Sequence, residues 1–89
     1  MKMRLSITKR FQKDLKNIDQ SIKTDVLSIL KNMESAHDFS QLRNLKKIKG
    51  QKHHYRIRIG NYRLGFRVIG NDLKLERLMH RRDIYKYFP

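Results

Sequence analysis

Eighty-nine residues, 38% of them hydrophobic, supply apolar material for one core and none for a second, so the chain reads as a single domain over residues 1–89. Twenty-two Lys and Arg against eight Asp and Glu leave a formal charge of +14, which opposes compaction until an anion relieves it and so calls for a polyanionic or acidic partner. The absence of Cys excludes disulfides, thiolate nucleophiles and Cys-based zinc sites; no run approaches the roughly 20 apolar residues of a membrane span, and the opening MKMRLSITKRF is too short in apolar run for a signal peptide, so a cytoplasmic location without membrane contact is expected.

Met3, Leu5 and Ile7 alternate with Arg4 and Ser6, the two-residue period of a half-buried first strand. Thr8 then stands as an N-cap, and Phe11, Leu15 and Ile18 follow at the spacing of a short helix. Asp19 caps a second helix with Ile22, Val26, Ile29, Leu30 and Met33 on one face, and the two helices make a hairpin. From Glu34 to Gly50 the periodicity weakens, although Leu42, Leu45 and Ile48 recur every third residue; this predicts a loop or turn that carries the basic run RNLKKIKGQK and tucks apolar anchors under a sheet. Three strand-like segments follow, Tyr55 to Ile59, Tyr62 to Ile69 and Leu73 to His80, punctuated by Gly60-Asn61 and Gly70-Asn71, pairs that tolerate the positive φ of tight hairpin turns. The tail RRDIYKYFP is expected to make one helical turn. The expected class is α+β: strand, helix, helix, then a three-strand antiparallel meander with the helical hairpin packed on one sheet face.

A two-residue turn at Gly60-Asn61 pairs Ile59 with Tyr62, Ile57 with Leu64 and Tyr55 with Phe66 on the core face, leaving Arg58 opposite Arg63, Arg56 opposite Gly65 and His54 opposite Arg67 on the other. Like charges across a ladder cost up to about 1 kcal/mol per pair, so stability alone does not account for this arrangement. The next hairpin puts Phe66 opposite Leu75 and Arg67 opposite Lys74. Continued without interruption, it sets Gly65 against Glu76, brings His80 near Asn61 and turns Arg77 inward, unless a bulge near Glu76 intervenes. Gly65, flanked by Arg56, Arg63 and Arg67, is expected to leave room for a backbone or a base in a groove floored by guanidinium groups.

The blocks LKKIKG, YRIRIGNYRLGFRV and LKLERLMHRRDIY, in this order, resemble the RelE/ParE superfamily of toxins from type II toxin-antitoxin pairs, along nearly the whole chain. The resemblance implies a RelE-like domain. In the RelE-like branch, favoured here, it implies a ribosome-dependent endoribonuclease that cuts mRNA, with Arg63, Arg81 and Tyr85 in the working positions and His54 and Arg56 as the basic positions of the second strand of the chain, the first of the meander, where many members carry lysine. In the ParE-like branch it implies a DNA gyrase inhibitor without nuclease activity. Either branch implies an acidic antitoxin as partner, in a complex that can be of higher order; the RelE-like branch adds the ribosome and mRNA.

RNA cleavage without a metal needs the 2′-hydroxyl deprotonated, the phosphorane stabilised and the 5′-oxygen protonated. Arginine suits the middle task, because its planar fork donates bidentate hydrogen bonds to phosphate and stays charged; Arg63 and Arg81 are expected there. His80 and His54 have unperturbed pKa values suited to proton transfer, with His80 expected as a catalytic group, and Tyr85 is expected to stack on a base or donate a proton. Lys52, His54, Arg56, Arg58 and Arg67 are expected to bind substrate phosphates. His53 and His54 stand without a spaced His, Asp or Glu cluster, so no metal and no cofactor is expected. Charge alone also fits a non-enzymatic RNA-binding module, and each charged or aromatic residue named here has an ordinary reading as solvated surface or core cover.

Overall fold

In the computed structural model, which describes residues 3–89, the order is β1 (Arg4–Ile7), α1 (Lys9–Lys16), α2 (Gln20–Ser35), a 3-10 turn (Phe39–Gln41), β2 (Leu45–Lys47), β3 (His54–Ile59), β4 (Tyr62–Ile69), β5 (Asp72–His80) and α3 (Ile84–Tyr87). Met1 and Lys2, which the single-domain reading includes, lie outside the described residues. The strands form one sheet in the order β1-β5-β4-β3-β2, with β1 parallel to β5 and the others antiparallel. A parallel pair needs a long crossover between its strands, and everything from α1 to β4 supplies it. The α+β class and the meander are as expected. The segment expected to be a loop instead contributes β2, an edge strand beside β3; three residues are too few to show alternation, and the every-third spacing of Leu42, Leu45 and Ile48 hides it.

The helices cover one sheet face. Phe11 of α1 and Val26 and Met33 of α2 are fully buried against Ile57, Leu64, Phe66, Leu73 and Leu75. Each such side chain contributes about 1.5–3 kcal/mol of burial free energy. Thr8 caps α1 as expected, its Oγ1 accepting from the Phe11 N–H at 3.1 Å. Asp19 precedes α2 without making a side-chain cap bond. Ile7, expected in the core, is 45% exposed at the end of β1, where the chain leaves the sheet for α1.

Beyond Leu75 the outer edge of β5 has no strand beside it, and α1 satisfies it instead. The Thr8 hydroxyl donates to the Leu75 and Glu76 carbonyls, and the Asp14 carboxylate accepts from the Leu78 N–H at 2.9 Å and from the Arg77 guanidinium at 2.9 and 3.2 Å. Asp14 is therefore the anchor of α1 on the sheet.

The first hairpin has the expected register at every pair from His54–Arg67 to Ile59–Tyr62. The second follows expectation from Ile69–Asp72 to Phe66–Leu75 and then shifts by one residue at a bulge beside Glu76. Gly65 faces Arg77 rather than Glu76, and Leu78 turns into the core opposite Leu64. The bulge also moves His80, which pairs with Tyr62 instead of arriving opposite Asn61; Arg81 takes that place, donating its N–H to the Asn61 carbonyl at 2.8 Å.

Candidate active site

Alternation in β3 and β4 sends Arg56, Arg58 and His54 of one strand, and Arg63 and Arg67 of the other, to the sheet face away from α1 and α2. The chain then reverses after β5 and lays α3 across this same face. Phe88, only 3% exposed, covers Gly65 so closely that a Cβ there would meet its ring at 2.7 Å, and the ring stands edge-on to His54 with centroids 5.4 Å apart. The room expected over Gly65 is thus filled by the protein's own C-terminal segment. Glycine is needed at this position for the tail to close.

The tail divides the face. On the β5 side, Arg77 lies 5.8 Å over the Tyr87 ring, and Arg67, expected to bind substrate, has its Nε 3.2 Å from the Glu76 carboxylate; its charge is compensated internally. On the β2 side, Tyr85 is 57% exposed and lines an open cleft of about 340 Å³ with Lys46, Lys47, Ile48, Lys49 and Arg56. Arg63 sits within electrostatic reach of Arg56, Arg58, Arg81 and Tyr85. Burial, with Arg56, Arg58 and Arg81 adding repulsion, pushes its pKa below the usual arginine value, while Tyr85 opposes this. Arginine starts so far above neutrality that the group stays charged.

Among the described residues, none of Arg56, Arg58, Arg63 or Arg81 has a carboxylate ion pair. Neutral oxygens hold three of them. Arg63 donates to the Gly60 and Tyr62 carbonyls, both at 2.9 Å, and Arg56 to the Asn44 carbonyl at 3.2 Å; Arg58 reaches the Asn44 side-chain oxygen at 3.5 Å. Asn44 adopts the left-handed backbone (φ 62°), and its carbonyl also accepts the Arg58 backbone N–H at 3.2 Å, which seats the start of β2 against β3. The arms are fixed while their positive charge stays available, which is what a phosphate-binding surface requires.

The structure therefore brings together Arg56, Arg58, Arg63, Arg81 and Tyr85, and adds Lys46, which pairs with Arg56 across the β2–β3 ladder. The basic run was visible in the sequence, but only the strand it forms aims Lys46 at the site. Asn44 was not foreseen; an Asn before a strand that needs a positive φ is its only sequence signal. Four expected residues lie elsewhere. Lys52 is exposed in the bend before β3, and Arg67 is tied to Glu76. His54 is beneath Phe88, with its Nδ1 buried and without a hydrogen-bond partner among the described residues. His80 stands edge-on to Tyr62 in a cleft it shares with Asp14, Asn17 and Ile18, on the helix side, with its Nδ1 accepting the Arg82 N–H at 3.2 Å. The described residues contain no cluster of three or more His, Cys, Asp or Glu that could hold a metal ion.

Residues 5–85 match the family described as the ParE toxin of the type II toxin-antitoxin system parDE. The chain is 39% identical to toxin RelE3 of Methanocaldococcus jannaschii over 98% of its own length and all of that protein's. This chain is a type II toxin of the RelE/ParE superfamily. The toxin also superposes on the crystal structure of the RelB-RelE antitoxin-toxin complex from Methanococcus jannaschii with a TM-score of 0.81 and 37% identity, covering 93% of this chain and 98% of that one. The archaeal RelE-RelB complex from Pyrococcus horikoshii OT3 shares the fold, with a TM-score of 0.74 at 24% identity over 91% and 97% of the two chains. With RelE3 as a relative along its full length, the toxin is RelE-like.

Proposed function

We propose that the toxin is a ribosome-dependent endoribonuclease that cuts mRNA and so stops translation. The observation that carries the reading is the gathering of Arg56, Arg58, Arg63 and Arg81 beside an exposed Tyr85, with neutral oxygens anchoring the first three and, among the described residues, no carboxylate ion pair to any of the four. In the proposed reaction the 2′-hydroxyl loses its proton and attacks the adjacent phosphorus, and the 5′-oxygen leaves as it gains one, giving a 2′,3′-cyclic phosphate and a 5′-hydroxyl. Arg63 and Arg81 stabilise the charge on the pentacoordinate phosphorus, Arg56 and Arg58 hold the flanking phosphates, and Tyr85 stacks on a base. His80, on the far side of β5, is assigned no step, and His54 is assigned none while Phe88 covers it. Tyr85 and the three lysines of the cleft, Lys46, Lys47 and Lys49, are then its groups with protons to give, and no histidine stands among them; alignment of the message by the ribosome compensates for that lack, and free RNA should be cut slowly.

A defined transcript in cell-free translation, mapped by primer extension, tests the proposal. The expected outcome is cleavage that falls by about 10²-fold or more in Arg63→Ala and Arg81→Ala; intact message beside a toxin that still halts growth would refute it. The match to the ParE family favours one other reading, inhibition of DNA gyrase, and a supercoiling assay decides between them. For either target the proposed partner is an acidic antitoxin drawn to the uncompensated arginines, in line with the archaeal relatives crystallised with RelB.

A further inference from the structure

Helix α3 is a single turn, too short to hold its own shape, so its setting depends on what grips it. Ile84 and Phe88, one turn apart and both buried, seat it along one line, with the Phe88 N–H donating to the Ile84 carbonyl at 2.8 Å. Two apolar contacts on one line do little to stop the turn rolling about it. Tyr85 and Tyr87 stand on the two flanks, about 200° apart around the helix axis, and each is more than half exposed, so burial fixes neither. Tyr85 borders the arginine cleft, while the Tyr87 ring lies under the Arg77 guanidinium, with Cζ 5.8 Å from the ring centroid and within reach of a cation–π contact. Whatever holds Tyr87 therefore sets the direction of Tyr85.

Arg77 is itself gripped from the other side. The Asp14 carboxylate accepts from its Nε at 2.9 Å and from a terminal nitrogen at 3.2 Å, a fork that fixes the guanidinium plane, and the two side chains are only 18% and 15% exposed. The same carboxylate takes the Leu78 N–H, which ties the pair to β5. Shielded ion pairs add little net stability, because desolvation offsets the attraction and apolar side chains of like volume often do as well. The orientation that the pair imposes is a better reason for its presence. The bulge beside Glu76 serves the same end, since it turns Arg77 out of the core to sit opposite Gly65, under the tail. We propose that Arg77 is a positioning residue for the arginine site: aligned by Asp14, its guanidinium clasps the Tyr87 ring and so turns Tyr85 into the cleft on the opposite flank of α3. The inference rests on the nuclease reading for what Tyr85 does there. It links a helix on the covered side of the sheet to the face that meets the message.

The test uses the full chain in two measurements, message cleavage in cell-free translation and, without RNA, the NMR spectrum of toxin carrying isotope-labelled tyrosine. Tyr87→Leu removes the ring but leaves the Asp14–Arg77 pair intact, Tyr87→Phe keeps the ring, and Arg77→Gln removes the clasp. Tyr87→Leu should cut about tenfold more slowly at saturating ribosome, with the ribosome concentration for half-maximal rate little changed, and Tyr87→Phe should cut at the wild-type rate. In a Tyr85→Ala background the Leu substitution should slow cleavage by less than about twofold, because no ring is left to aim. The Tyr85 ring signal should move in Tyr87→Leu and Arg77→Gln and stay in place in Tyr87→Phe. Arg77→Gln strands a shielded carboxylate; should that variant fail to fold, Tyr87→Leu carries the test by itself. Full cleavage in Tyr87→Leu, an equal loss in Tyr87→Phe, or an undiminished loss in the Tyr85→Ala background would each overturn the proposal. A wild-type toxin that leaves the message intact refutes the nuclease reading alone; the spectrum then decides, and an unmoved Tyr85 signal in Tyr87→Leu overturns the positioning role.

Discussion

At the scale of single residues, Asn44 shows how the site keeps its charge. A carboxylate at that point would hold Arg56 and Arg58 at least as well, but it would also neutralise them, whereas the amide oxygen and carbonyl orient the arms and leave the field intact. Asn44→Asp should therefore leave thermal stability unchanged or raise it by less than about 1 kcal/mol, while RNA affinity falls roughly tenfold at low salt. Calorimetry and a binding titration on the same sample check it; full affinity in that variant would mean that these two arginines do not touch RNA. The residue was not legible in the sequence, because its importance comes from the positive φ and from two arginines twelve and fourteen residues away. Arg63 was legible, since a two-residue turn at Gly60-Asn61 leaves its side of the ladder no choice.

At the scale of elements, the C-terminal segment is the part that sequence reading places least well. One helical turn before Pro89 was expected and is present, but nothing in RRDIYKYFP says which sheet face it covers. Gly65 decides that, by admitting the Phe88 ring where any other residue would hold it off. Gly65→Ala should cost about 1–3 kcal/mol through overpacking, and Phe88→Ala about 3 kcal/mol through the lost burial. The double variant should cost clearly less than the sum, because without the ring the added methyl has nothing to strike. Urea unfolding of the three variants measures this, and simple additivity would show that the two do not meet. The edge strand β2 escaped for a related reason. A three-residue strand has no period of its own and exists because β3 offers it an open edge.

At the scale of the whole molecule, the charge is arranged as well as abundant. Cations gather in the arginine site and along α1, while of the eight acidic residues Asp14 and Glu76 are spent on internal pairs with Arg77 and Arg67. With a formal charge of +14, repulsion among the cations outweighs these pairs. Raising sodium chloride from about 0.05 to about 0.5 M shortens the screening length from over 10 Å to about 4 Å. The melting temperature should rise by roughly 5 °C as a result. A flat or falling melting temperature would mean that ion pairs dominate and that the clusters exert no strain awaiting an anion.

What the sequence determined by itself is whatever follows from local rules: the helical hairpin from its apolar spacing, the first hairpin's register from its two-residue turn, the bulge from the misfit of Arg77 and Leu78, and hence the common face of Arg56, Arg58 and Arg63. Tertiary structure decided which of those cations stay free. Glu76 and Asp14 reach Arg67 and Arg77 only because the bulge and the packing of α1 bring them there, Phe88 closes over His54 only because the tail reverses, and the one-residue shift of β5 carries His80 to the far side. Alternation along a strand fixes direction, and only the fold fixes what a side chain meets when it arrives.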